Sequence, residues 1–119
     1  MGAKNYRDLI VWQKAMELAA SIYRTTERFP NREQFGLTMQ LRRAAVSIPS
    51  NIAEGEGRGS KPDFVRFLNI AHGSLREAET QLLLATQLGF LTTERTGEPM
   101  NLAAEVGRLI QGLIKSLRR

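Results

Sequence analysis

The strongest constraint in the sequence is an unbroken helical spacing of apolar residues between positions 64 and 85. Intervals of four and three alternate through Phe64, Leu68, Ala71, Leu75, Ala78, Leu82 and Ala85. This spacing keeps returning to one side of an α-helix and does not fit a strand, whose side chains alternate with a period of two. Ser60 is a natural N-cap before the pattern, and Gly89 is a natural terminator after it. We therefore predict a helix over about 61–88, roughly 42 Å long at about 1.5 Å per residue.

The same period divides the rest of the chain into three further helical segments. Pro30, the glycines at positions 55 and 57, and Gly89 mark the breaks between segments, since proline and glycine end helices. The predicted helices are therefore about 6–28, 31–56, 61–88 and 93–118. Pro49 lies inside the second segment, where its missing N–H group and its ring favour a kink or a break.

Four helices of similar length joined by short turns predict an all-α fold. The expected architecture is an antiparallel up-down-up-down four-helix bundle, with helix two kinked or broken near Pro49. The sequence contains no repeat of fixed length, so a solenoid is not indicated. A chain of 119 residues has room for one domain, which we place over residues 1–119.

Composition narrows the class of protein. Cysteine is absent, which excludes a disulfide framework, a thiolate nucleophile and a cysteine-ligated metal centre. Residues 1–6 lack the apolar core of a signal peptide, and no apolar run approaches the ~20 residues of a membrane span. We expect a cytoplasmic protein with no membrane partner.

Catalytic and metal-binding patterns are missing where they would be expected. Asn69 stands three residues before the single histidine, His72, at the position where metal sites in helical bundles carry a glutamate. The glycine-rich stretch 54–61 lacks the spacing of a nucleotide-binding phosphate loop, and no predicted strand precedes it. The sequence accordingly predicts no enzyme, no metal site and no cofactor.

Positive charge points to an anionic partner. Seventeen Lys and Arg residues stand against twelve Asp and Glu, a net charge of +5, and arginine favours bidentate contacts with phosphate. The candidate nucleic-acid contacts are Arg42, Arg43, Arg58, Lys61 and Arg66. Two alternatives stay open: the charges form an ordinary solvated bundle surface, or Arg42 pairs with an acid at a subunit boundary.

Apolar residues exceed what one core face needs. The first helix has two adjacent seams, one containing Trp12, Met16 and Tyr23 and the other containing Val11, Leu18 and Ile22. The third helix has a second stripe through Phe67, Ile70, Leu84 and Leu88. Surplus apolar surface is typical of an interface, so we expect self-association. For the aromatic residues Trp12, Tyr23, Phe64 and Phe67, helical spacing on apolar faces favours core packing over stacking on bases.

Four strings in the sequence resemble a known family. They are DLIVWQKA at positions 8–15, FGLTMQLRRAAVSIP at 35–49, NIAEG at 51–55 and FLNIAHGSL at 67–75. Their order and spacing are similar to those of the four-helix bundle proteins encoded in intervening sequences of bacterial 23S ribosomal RNA genes. The resemblance implies ring-like homopentamers. It also implies kinship with the accessory protein of diversity-generating retroelements, a basic protein that binds nucleic acid together with a reverse transcriptase. It carries over no catalytic residues.

These observations predict a non-enzymatic, homo-oligomeric bundle that binds RNA or DNA through a distributed basic surface. A larger ribonucleoprotein is the expected partner of such an accessory protein. Because one copy is only weakly basic, the hypothesis depends on several copies presenting the same surface at once. The alternative is a protein-interaction scaffold with no nucleic-acid ligand.

Overall fold

The structure is a computed structural model and describes residues 5–119. The prediction about a signal peptide rests in part on residues 1–4, which lie outside the described residues. A 3-10 turn at Tyr6–Asp8 precedes α1 (Ile10–Thr26), and a second one at Asn31–Glu33 precedes α2 (Leu37–Gly57). Helices α3 (Lys61–Gln87) and α4 (Thr93–Leu117) follow, and residues 5–119 contain no strand. The all-α fold class with four long helices is confirmed.

The first two helices begin later than the sequence predicted. Leu9 is extended, so the turn at Tyr6–Asp8 is separate from α1. Helix two was predicted to begin at about residue 31, but residues 31–33 form only a 3-10 turn, and the Glu33 carboxylate accepts a hydrogen bond from the Leu37 amide at 3.0 Å. Gly36, with φ −110° and ψ −116°, departs from helical geometry between the turn and α2. Helix α2 therefore begins six residues later than predicted, after Gly36 and with the Glu33 carboxylate bonded to its first amide.

Helix α2 passes through Pro49 without a break in its helical residues. Of the two alternatives predicted at Pro49, a kink or a break, the break does not occur, and the kink stays a prediction. Pro49 is buried, so packing of its ring offsets part of the cost of the hydrogen bond that it cannot donate.

The four helices pack in a cycle, each against two neighbours: α1 with α2, α2 with α3, α3 with α4, and α4 with α1. Between α2 and α3, hydrogen bonds join Ser47 to Ser74 at 2.8 Å and Gln40 to Gln81 at 3.5 Å. Residue numbers therefore fall along α3 as they rise along α2. Between α3 and α4, Thr86 bonds to Thr96 at 2.6 Å.

One cluster of buried apolar residues lies between the four helices, and all seven residues of the pattern in α3 except Phe64 are in it. Of the two seams of α1, Val11, Ala15, Leu18 and Ile22 are buried, whereas Met16 and Tyr23 of the other seam are exposed. Both seams have the same period, but only one of them is buried throughout, and the other packs against the core in part, through Leu9, Trp12 and Ala19. No helix within residues 5–119 has the length and hydropathy needed to cross a bilayer.

Candidate nucleic-acid interface

The five predicted basic residues lie in two separate places. Arg42 and Arg43 are in the second turn of α2, close to the end of α1. Arg58, Lys61 and Arg66 surround the turn between α2 and α3. Fifteen residues of helix rise by about 22 Å, which is the distance along the axis between Arg43 and Arg58. The structure therefore does not gather the five into one patch.

The Arg42 side chain is held at the C-terminal end of α1 by contacts with residues of that helix. Its Nε donates to the Thr26 hydroxyl at 2.8 Å, and its Nη2 donates to the Tyr23 carbonyl at 3.2 Å. The guanidinium carbon lies 4.6 Å from the centroid of the Tyr23 ring. The last carbonyls of a helix lack partners and carry its negative dipole end, so a cation is stabilised there. Arg42 has no carboxylate partner within residues 5–119.

Arg43 is exposed and has no ion pair or side-chain hydrogen bond within the described chain. Together with Arg42 it lines an open groove of about 570 Å³ between α1 and α2, here called the arginine groove. The residues that line it include Tyr23, Gln34, Thr38, Met39, Arg42, Arg43 and Val46. Both arginines therefore border one concave surface that no acidic residue lines, and Arg43 also lines a second groove, between α2 and α3, together with Glu77.

The three basic residues at the α2–α3 turn are arranged around Phe67. The guanidinium carbons of Arg58 and Arg66 lie 4.9 and 4.5 Å from the centroid of this buried ring. Arg58 also pairs with Glu54 at 2.9 Å, and Arg66 pairs with Asp63 at 3.8 Å. Their charges are thus largely compensated, and these arginines cover the ring with their planar groups.

Lys61 differs from its two neighbours at the turn. It is exposed at the first position of α3 and has no ion pair in the part of the chain that the structure describes. The glycine turn before it contains Gly59 at φ 82°, and the Ser60 hydroxyl caps α3 by accepting from the Asp63 amide at 3.3 Å. Lys61 is therefore the residue of this cluster whose charge remains available to an anion.

A metal site finds no support around His72. No group of three His, Cys, Asp or Glu side chains within residues 5–119 is placed to hold a metal ion. Partial burial lowers the pKa of His72, the charge of Arg76 lowers it further, and Glu79 acts in the opposite direction. The imidazole is held toward its neutral form by its surroundings.

The sequence did not indicate Tyr23 as a site residue, because its helical spacing on an apolar face predicted that the ring packs in the core. Of the four aromatic residues so assigned, Phe67 is buried and Trp12 and Phe64 pack partly buried against the core, but Tyr23 is 42% exposed. One feature of the sequence could have indicated that Tyr23 is exposed. It lies on one of two seams of α1 with equal period, seven residues after Met16, and only one seam was needed for the core.

The family model described as "23S rRNA-intervening sequence protein" matches residues 7–112. The chain belongs to this family. The resemblance seen in the four sequence strings is thereby confirmed. No curated protein matches the chain.

A crystal structure from Bacteroides thetaiotaomicron, described as a protein with unknown function from the S23 ribosomal protein family, is similar to this member of the 23S rRNA-intervening sequence protein family. The two chains are 30% identical and superpose with a TM-score of 0.80. The match covers 89% of this chain and 99% of the other. The relative thus supports the fold and the family, and its description assigns no activity.

Proposed function

We propose that this protein is a non-enzymatic, cytoplasmic, homo-oligomeric bundle that binds RNA or DNA through basic residues distributed over its surface. The observation that carries the proposal is the pair Arg42 and Arg43, which share the arginine groove with no carboxylate partner among the described residues. Arginine side chains bind the phosphate groups of nucleic acids. Each phosphate that an arginine neutralises releases condensed counterions, which favours binding. Lys61 adds a second point of contact on each copy.

Several copies are required, because one chain offers few uncompensated charges. Two different apolar surfaces support association. The first, here called the α3 stripe, consists of the exposed residues Ile70, Leu84 and Leu88. The second is a groove of about 390 Å³ between α1 and α2, here called the apolar groove, whose lining includes Trp12, Met16, Ala19, Val46, Pro49 and Ala53.

A stripe on one copy fits a groove on the next only in a head-to-tail contact. Such contacts close into rings when the rotation between copies permits it. A ring of five, the size implied by the family resemblance, would carry five times the charge of +5 on each chain. Repeated weak sites on one ring raise avidity without any new contact on each subunit. A larger ribonucleoprotein is the kind of partner on which such a ring would act as an accessory.

The competing function is a protein-interaction scaffold. It is favoured by the same apolar surfaces, which serve a protein partner as well as a second copy. The two functions differ in what occupies the arginine groove, since a scaffold would dock an acidic protein there or leave the groove to solvent. Binding of nucleic acid therefore separates them.

Nucleic-acid binding is expected to be strong at low salt and to fall as salt rises. Fluorescence anisotropy with labelled RNA and DNA at ~50 mM and ~200 mM salt measures this directly. The variant Arg43→Gln/Lys61→Gln is expected to bind more weakly, and its salt slope should be shallower by about one for each phosphate that it no longer neutralises. Absence of binding at the lower salt concentration would refute the proposal.

A matched control removes the same charge elsewhere. Arg24 pairs with Glu98 at 3.6 Å, and Arg76 pairs with Glu79 at 2.7 Å. The variant Arg24→Gln/Arg76→Gln therefore loses two positive charges outside the candidate residues. Equal weakening by both double variants would show that net charge alone drives binding and that Arg43 and Lys61 are not contacts.

Self-association is tested by light scattering. We expect a mass of five times 13.4 kDa for the native protein and a shift toward the single-chain mass for Leu84→Glu, because a carboxylate in the α3 stripe would be buried against an apolar groove. Leu83→Glu makes the same change one residue earlier, about 100° around the helix, and should leave the mass unchanged. A native mass of one chain would exclude the ring.

A further inference from the structure

The arginine groove contains an aromatic ring, that of Tyr23, which a site that binds only phosphate groups would not need. The Arg42 guanidinium is held over the Tyr23 ring, at 4.6 Å from its centroid, by hydrogen bonds to the Thr26 hydroxyl and the Tyr23 carbonyl. The Tyr23 side chain is 42% exposed even though one face carries the guanidinium. An aromatic ring and a guanidinium fixed in one stack form a rigid platform on which another flat ring gains stacking and cation–π energy.

The remaining lining of the groove fits a nucleotide. Met39 and Val46 supply apolar wall, while Gln34 and Thr38 supply donors and acceptors. Arg43, which has no partner in the described chain, stands in the same lining as the platform. The volume of about 570 Å³ lies within the ~300–1,000 Å³ typical of small-molecule sites. A flat base with an attached phosphate matches this combination of platform, apolar wall and free cation.

We propose that the arginine groove holds an unpaired nucleotide of single-stranded nucleic acid, with its base against the Tyr23–Arg42 platform and its phosphate on Arg43. This inference rests on the proposed function and narrows it to one class of ligand. In a duplex the faces of the bases are covered by their neighbours, so only a single strand presents a base to the platform. Duplex can reach only the phosphate-binding side chains.

Two other occupants of the groove are less well matched. A helix of a second copy laid across it would remove the Arg43 guanidinium from water, which is costly unless that copy supplies a carboxylate, and it too would leave the platform without a flat partner. An acidic peptide would satisfy the arginines but would leave the exposed aromatic platform without a flat partner. The apolar groove, which adjoins the arginine groove at Val46, contains no charged residue and suits a second copy better.

The test compares a single-stranded oligonucleotide with the same sequence as a duplex, by fluorescence anisotropy on the full chain. Tyr23→Ala is expected to weaken single-strand binding about 5- to 100-fold, the range that loss of one base stack gives, and to leave duplex binding within about twofold. Tyr23→Phe keeps the ring, and the Tyr23 hydroxyl has no partner in the described chain, so this variant should bind as the native protein does. Mononucleotide should compete only at far higher concentration than the oligonucleotide.

A change in the ligand gives an independent measurement should Tyr23→Ala not fold. An oligonucleotide with abasic positions keeps every phosphate but lacks bases to stack, so it should bind the native protein about 5- to 100-fold more weakly. Equal binding of the abasic and normal strands, or equal loss for single strand and duplex on Tyr23→Ala, would overturn the base site while leaving nucleic-acid binding intact. A change of mass on Tyr23→Ala with unchanged single-strand binding would assign the groove to a second copy. No binding of either strand form would refute the proposed function itself.

Discussion

Replacing Leu82 with alanine is expected to lower the free energy of unfolding by about 2–5 kcal/mol. Leu82 is fully buried in the cluster between the four helices. The loss combines the transfer energy of the removed methyl groups with the cavity that they leave, since long helices cannot collapse fully onto one missing side chain. Chemical denaturation at several protein concentrations measures it and separates it from any effect of association.

Leu83 provides the control at the next position of the same helix. Its side chain is 54% exposed, so Leu83→Ala makes an identical chemical change with little loss of buried surface. We expect a change within about 0.5 kcal/mol in either direction, as is usual for surface substitutions. Similar losses for the two variants would mean that α3 is rotated relative to the arrangement described above.

The packing of α3 could be predicted because only one of its apolar patterns is unbroken. Alternating intervals of four and three run over 22 residues, with Ser60 and Gly89 at the ends, whereas the second stripe is interrupted between Ile70 and Leu84. For the first helix, two orientations were compatible with the sequence, because its two apolar seams are adjacent and have the same period. The packing of α1 against α2 and α4 decides that Leu18 faces the core and that Tyr23 lies at its edge. Local periodicity identifies the apolar faces of a helix, but it does not show which of these faces the neighbouring helices cover.

In the candidate site, residue types could likewise be read from the sequence, but the contacts of their side chains could not all be read from it. Charge identified Arg42, Arg58 and Arg66 as available cations, but charge says nothing about which neighbour a long side chain reaches. Arg42 reaches back sixteen residues to Thr26, and the other two converge on Phe67. The contact of Arg42 depends on how α1 lies against α2, which no local pattern encodes. The acid partners of Arg58 and Arg66, in contrast, stand at helical spacings of four and three residues, Glu54 and Asp63, so their compensation was readable from the sequence.

Gly55 also has a different role from the one its sequence context suggested. A glycine near the end of a helical segment is expected to act as a terminator, but Gly55 lies within α2, and the helix continues to Gly57. A Cβ atom at Gly55 would lie 2.6 Å from the Cβ of Phe67 and 3.2 Å from Cδ1 of Phe64. The missing side chain is thus what lets α2 approach α3 beside the Arg58–Phe67–Arg66 cluster.

Gly55→Ala is therefore expected to destabilise the fold by about 1–3 kcal/mol, the range for overpacking, although alanine is the better helix former by about 1 kcal/mol. The Cβ of Phe67 is attached to the α3 backbone, so relief requires the helices to separate and not merely a side chain to rotate. Gly112→Ala lies within α4, where a Cβ would meet nothing within 4 Å, and it should stabilise the protein by about 0.5–1 kcal/mol. Denaturation of both variants under one set of conditions isolates the close approach from helix propensity. Stabilisation by both substitutions would show that α2 and α3 are not held together at Gly55.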